Sequence, residues 1–148
     1  MSIEVYCDGG CRGNQNDNNI GGWGVVMMYN GHTKEMHGGE TNTTNNKMEL
    51  TGVVTALEAI KTTHIPVVIY CDSKYIVDNF SKSVRNWIKK GWKKSDNQPV
   101  KNVELWKRLV ELADKQSNFQ FVWVKGHADN EGNNRADELA NQAMNELS

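Results

Sequence analysis

Val67-Val68-Ile69-Tyr70-Cys71-Asp72 is an unbroken apolar run that ends in an acid. Pro66 precedes it and Ser73 follows, so it is bounded on both sides. A short apolar run without polar alternation reads as a strand buried on both faces, the habit of parallel sheets. The N-terminal segment repeats its ending. Ile3, Val5 and Cys7 alternate with other positions, and Tyr6-Cys7-Asp8 copies Tyr70-Cys71-Asp72. If the two strands are parallel neighbours, both aspartates lie side by side at the carboxyl edge of the sheet, where open α/β sheets place ligands.

The rest of the chain supplies the partners of such a sheet. Arg12 to Gly22 is rich in Gly, Asn and Asp and reads as a loop. Trp23 to Tyr29 is a second apolar strand, and Asn30-Gly31 is a hairpin signal that turns Thr33 to Glu40 back as an antiparallel third strand. Leu50, Val53, Val54, Leu57 and Ile60 then recur at helical spacing. Helical signals run from Ser73 to about Lys90 and again over Val103 to Lys115, Phe119 to Val124 is a last strand, and Arg135 to Leu147 closes as a helix. In that helix Ala136, Leu139, Ala140, Ala143 and Leu147 are expected to face inward. The order β-β-β-α-β-α-α-α-β-α predicts an α/β fold with one mixed sheet covered by helices on both faces.

Length and composition fit this reading. The 148 residues suit a single domain spanning 1–148, and 38% apolar with 24% charged residues is ordinary for a globular chain. No apolar run approaches the ~20 residues that span a bilayer, so no membrane partner is expected. The first residues lack a signal-peptide pattern. Cys7, Cys11 and Cys71 form neither an even set nor a zinc motif, which points to a reducing cytoplasm. The net charge of −1 hides an asymmetry: residues 82–101 hold seven basic side chains and one acid, leaving −7 for the remainder. Such a block marks an anion-binding surface.

Four acids draw attention, and each has an ordinary explanation. Asp8-Gly9-Gly10 is a good turn sequence. Asp72 before Ser73 suits a helix cap. Asn46-Lys47-Met48-Glu49 has capping-box spacing, yet Glu49 also flanks the buried stripe of its helix. Asp137, one step from the apolar stripe of the last helix, would ordinarily be exposed. Together, two strand-end aspartates and two stripe-flanking acids are what a two-metal phosphodiester-cleaving site requires. Hard divalent cations take carboxylate oxygens, and two of them about 4 Å apart activate a water and stabilise a leaving oxygen.

Cys7-Asp8-Gly9-Gly10-Cys11-Arg12-Gly13-Asn14, Thr43 to Leu50, Tyr70-Cys71-Asp72-Ser73, the stretch Trp87 to Trp106 with its Lys-Lys-Gly-Trp-Lys-Lys centre, Trp123 to Ala128 and Asn134 to Ala140 follow one another in a familiar order. Over nearly its whole length the chain resembles the type 1 (HI-like) ribonuclease H family, in the bacterial form with a basic handle. The resemblance implies a five-stranded mixed sheet of order 3-2-1-4-5 with helices on both faces. It implies cleavage of the RNA strand of RNA–DNA hybrids, leaving 3′-hydroxyl and 5′-phosphate ends, with two Mg2+ ions or Mn2+ as a substitute. Asp8, Glu49, Asp72 and Asp137 match the family's metal-binding acids. His127, ten residues before Asp137, matches a loop histidine that moves protons or assists product release, for which an ordinary imidazole pKa near ~6.5 is suited. Cys11, Asn14, Asn45 and Asn46 match contacts around the hybrid's minor groove, and Thr44 a phosphate contact. Trp87, Lys89, Lys90, Trp92, Lys93 and Lys94 fall in the substrate-binding handle, about residues 82–101. A monomer is expected.

The chain departs from the pattern in the asparagine-rich Arg12–Gly22 stretch, in Lys74 where Gln is common, and in Gly10 where Ser is common. Two further readings remain open: a related metal-dependent nuclease or integrase-like DNA-processing enzyme, and a non-catalytic hybrid-binding module.

Overall fold

β1 (Ile3–Arg12) and β4 (Val67–Cys71) run parallel, with Ile3 opposite Val67 and Cys7 opposite Cys71. In this computed structural model, which describes residues 1–13, 19–125 and 130–148, the two Tyr-Cys-Asp tripeptides therefore lie in register. Tyr6 and Tyr70 stack on one face with ring centroids 4.8 Å apart. Cys7 and Cys71 are buried on the other.

Beyond Cys7 the two strands part. β1 continues to Arg12, paired only with the antiparallel β2 (Ile20–Tyr29), which puts Asp8 opposite Gly24. Asp8 thus stands inside β1, one residue past its last β4 partner, and not at a strand end. Nor does Asp8-Gly9-Gly10 turn. β2 supplies the hydrogen bonds that a turn would have supplied, and the connection expected from Arg12 to Gly22 shrinks accordingly. β2 and β3 (His32–Thr41) form the expected hairpin, with Asn30 and Gly31 both at positive φ (52° and 80°) between the paired Tyr29 and His32. β5 (Phe119–Trp123) joins β4 in parallel, giving the order β3-β2-β1-β4-β5 that the resemblance implies.

α1 (Asn45–Ala59) covers one face of the sheet with α4 (Val103–Asp114) packed against it, and α5 (Glu131–Leu147) covers the other. On the first face Val5, Cys7, Val25 and Ile69 meet Leu50, Val53, Leu57 and Trp106, all essentially inaccessible. On the second, Val26 meets Ala136 and Leu139 beside Tyr6 and Met28. Among the described residues no helix is long and apolar enough to cross a membrane.

Three helical expectations change. The stretch from Ser73 to Lys90 divides at Ser83 into α2 (Lys74–Lys82) and α3 (Val84–Lys89). The Ser81 hydroxyl bonds the Val77 and Asp78 carbonyls, a competition with the helix ladder that favours a break. α5 starts at Glu131, four residues before Arg135, because Asn130 caps it by accepting from the Asn133 N–H at 3.0 Å. Leu147 does not face inward but stays 43% exposed. It lies over the edge strand β3, beyond which the sheet offers nothing to bury it.

α5 reaches the sheet closely because β2 carries glycine at positions 22 and 24 beneath it. A Cβ on Gly24 would stand 2.2 Å from the Ala136 carbonyl oxygen and 2.7 Å from the Leu139 Cβ. Gly24→Ala is expected to destabilise the fold by about 2 kcal/mol or more, the scale of core overpacking, read by urea unfolding. Stability equal to that of the parent would show that α5 can lift without loss.

Candidate metal centre

Asp8, Glu49 and Asp72 each offer a carboxylate oxygen, and these oxygens lie within 4.8 Å of one another. Three local features put them there. The divergence of β1 from β4 leaves Asp8 and Asp72 adjacent at the end of their shared ladder. Ser73, not Asp72, caps α2, its Oγ accepting from the Ile76 N–H at 3.3 Å. The capping role expected for Asn46 and Glu49 is likewise taken elsewhere: Thr44 caps α1, accepting from the Lys47 N–H at 3.1 Å. Glu49 is therefore released from capping and only 8% exposed, and its Oε2 is buried without a hydrogen-bond partner.

Asp137 stands outside this trio, on α5, and reaches it from the opposite face of the sheet. It is half-buried rather than exposed, and a side-chain hydrogen bond links it to Asp8. The sheet edge thus joins acids carried by β1, by α1, by the end of β4 and by α5.

These groups are charged at a cost. Burial first, then the charge of Asp72 and the bond from Asp137, push the Asp8 carboxyl up to about 8, although the Gly9 N–H at 2.9 Å pulls the other way. Burial, Asp8 and Asp72 raise Glu49 well above the usual carboxylate range. Burial also raises the Cys7 and Cys71 thiols, so they stay protonated and the donor set is all oxygen. An orphaned carboxylate oxygen among crowded acids fits a hard divalent cation such as Mg2+ or Mn2+.

The remaining expected residues divide. Asn14 and His127 lie outside the described residues. Cys11 is half-buried on β1 opposite Gly21, with a free thiol. Thr44, Asn45 and Asn46 are exposed at the start of α1, and the Asn45 amide oxygen lies 3.9 Å from where a Cβ on Gly10 would stand. In the handle the tryptophans anchor and the lysines project. Trp87 packs edge-on against Trp106 at 5.5 Å and tilts against Trp92 at 6.5 Å. Trp92, at φ 66°, donates its N–H to the Trp87 carbonyl at 2.6 Å and closes the helix end. Lys89, Lys90 and Lys93 are exposed and Lys94 half-buried. Lys82, Lys90, Lys93 and Lys94 line a polar cavity of about 360 Å³ with Asn79 and Asn86.

Sequence reasoning missed Trp123. It is 44% exposed, its indole N–H donates to the Asp72 carbonyl at 3.2 Å, and the Lys74 ammonium lies 4.9 Å from its ring centroid. An exposed tryptophan closing a strand was the available signal.

Asp8 also gives a pH dependence. The folded, metal-free chain holds the Asp8 proton up to about pH 8, whereas the unfolded chain gives it up near pH ~4. Folding takes up a proton across that window, so stability falls as pH rises through it. Asp8→Asn is expected to melt higher than the parent at about pH 8.5 in chelator, with the gap closing near pH ~4 or on adding Mg2+. Equal melting temperatures at the higher pH would remove mutual repulsion from the site.

Comparison with known proteins gives this arrangement a family. The RNase H family model matches residues 1–145. A ribonuclease H of Ruthia magnifica subsp. Calyptogena magnifica is 47% identical over 146 residues, 99% of this chain and 97% of the relative. One of Methylobacillus flagellatus is 49% identical over 145 residues, 98% and 93% of the two chains. Among solved structures, LC9-RNase H1, a type 1 RNase H with the type 2 active-site motif, superposes with a TM-score of 0.86 at 33% identity, covering 99% of this chain and 73% of its own. LC11-RNase H1, solved in complex with an RNA/DNA hybrid, gives 0.74 at 29% identity over 99% and 100%. The parallel β1–β4 ladder, the acids at its end and these likenesses along the chain agree: the protein belongs to the ribonuclease H family.

Proposed function

We propose that this protein is an endoribonuclease that hydrolyses the RNA strand of RNA–DNA hybrids, leaving 3′-hydroxyl and 5′-phosphate ends, with two Mg2+ ions at Asp8, Glu49, Asp72 and Asp137. The observation that carries the reading is the carboxylate trio at the edge of a ribonuclease H sheet, with the Glu49 Oε2 buried and unpartnered among it. When bound, the ions activate a water and stabilise the leaving oxygen. Asp8, central among the acids, bridges the two sides of the site. Glu49 supplies an oxygen that has no other partner. His127 moves the proton or helps product leave. Thr44, Asn45, Asn46, Asn14 and Cys11 hold the hybrid near the acids, where amide and hydroxyl groups bond 2′-hydroxyls, base edges and phosphates. Thr44 spends an oxygen lone pair on the Lys47 N–H, which leaves its hydroxyl hydrogen free for a phosphate.

The handle adds affinity. Its tryptophans are held against the core and Lys89, Lys90 and Lys93 stand outward, an arrangement that supports contact with the phosphates of the hybrid. Residues 1–148 act as one catalytic domain, as a monomer in a reducing compartment, the cytoplasm. Free Cys7, Cys11 and Cys71 are consistent with that setting.

Cleavage of hybrid, double-stranded RNA and double-stranded DNA, each with Mg2+, Mn2+ or chelator, tests the proposal. Metal-dependent cleavage of the hybrid's RNA strand is expected, and Asp8→Asn should abolish it while the variant stays folded. Preference for DNA would favour a DNA-processing enzyme, and binding without cleavage a non-catalytic module; either would reject the proposal. Neutralising Lys89, Lys90, Lys93 and Lys94 together should raise KM and flatten its salt dependence, with a smaller effect on kcat, because each lost phosphate contact removes about one counterion's release. A salt slope that stays put would take the handle out of hybrid binding.

A further inference from the structure

The β2–β3 ladder ends at Ile20 opposite Thr41, yet its hydrogen bonds go two residues further. Asn19 carries them. Its backbone carbonyl accepts from the Asn42 N–H at 3.0 Å. Its carboxamide then takes both backbone groups of Thr43: Oδ1 accepts from the Thr43 N–H at 2.8 Å, and Nδ2 donates to the Thr43 carbonyl at 2.8 Å. A carboxamide has a donor and an acceptor side by side in one plane, so here a side chain imitates a strand.

The segment so held changes direction. Asn42 adopts φ 56°, the left-handed conformation that swings the chain out of β3. Thr43 is buried. Thr44 follows at once as the cap of α1, then the exposed Asn45 and Asn46. Buried backbone groups demand partners, and for Thr43 both come from one side chain on another segment. The clamp therefore sets where the first turn of α1 begins.

We infer that Asn19 is a positioning residue for hybrid binding: its carboxamide fixes the Asn42–Thr43 backbone and so holds Thr44, Asn45 and Asn46 in place for the nucleic acid. The inference rests on the reading of those three residues as hybrid contacts. Asn19 touches no substrate and acts through the backbone of its neighbours. Glu49 lies more than a helical turn further on and is held by its own burial, so metal binding is independent of the clamp.

Two variants and two measurements test this. Asn19→Ala removes both side-chain bonds, whereas Asn19→Asp keeps the acceptor for the Thr43 N–H and loses the donor. Steady-state cleavage of a short RNA–DNA hybrid in Mg2+ is the first measurement. Asn19→Ala should raise KM about fivefold, the scale of one lost hydrogen bond. Its kcat should stay within about twofold, with the Mg2+ concentration for half-maximal rate unchanged, and Asn19→Asp should fall between it and the parent. Amide hydrogen exchange of the full chain is the second. The Thr43 to Lys47 amides should exchange faster in Asn19→Ala by about tenfold, whether or not the protein cleaves anything. Unchanged KM with a lower melting temperature would overturn the inference, because the clamp would then serve only the fold. A shifted Mg2+ requirement or unchanged exchange would overturn it too. A parent chain that fails to cleave hybrid would instead defeat the functional proposal, while exchange still reports on the clamp.

Discussion

Cys7 faces Cys71 across a parallel ladder, and one residue later Asp8 and Asp72 leave that ladder together. Everything chemical about the molecule hangs on this pairing. Two buried strands bring two carboxylates into one low-dielectric corner, where each makes the other harder to ionise. Glu49 arrives from the α1 face and Asp137 from the α5 face, and both worsen the crowding. The fold accepts the strain because apolar packing on both faces holds β1 and β4 where they are. Repulsion that weakens the metal-free protein is the affinity that a cation would meet.

Much of this was legible in the sequence, for physical reasons. The repeated Tyr-Cys-Asp ending exposed the β1–β4 register, since a parallel neighbour shares burial on both faces. Asn30-Gly31 gave the hairpin, because its turn type demands positive φ. The four acids were legible only jointly: each alone had a turn, a cap or a solvent-facing helix to explain it. What escaped was decided by tertiary partners. Asp8-Gly9-Gly10 would turn in isolation and is straightened by β2. Glu49 would cap in isolation, but Thr44 outcompetes Asn46 for the cap. Asn19 gave no signal among the asparagines around it, because its partners at Thr43 are distant in sequence and are backbone groups.

The handle illustrates a division of labour within one short segment. Trp87 and Trp92 turn toward Trp106 and the core. Lys89, Lys90 and Lys93 stand in solvent. Composition alone showed aromatic and basic residues interleaved. It could not show that the aromatics pack toward the core while the cations project from it, and that difference separates losing an anchor from losing a charge.

The glycines of β2 beneath α5 have a consequence for how such a site can vary. Asp137 ends one carbon sooner than a glutamate would, and it meets Asp8 from a helix that rests directly on Gly24. The thickness of the sheet and the length of the acid opposite it are one trait written at two positions. A lineage that put a methyl group on the strand would lengthen the span its carboxylate must cross, and a longer acid on α5 would be the matching change. Position 24, opposite Asp8 across the ladder and beneath Ala136, thereby bears on which acid fits at position 137.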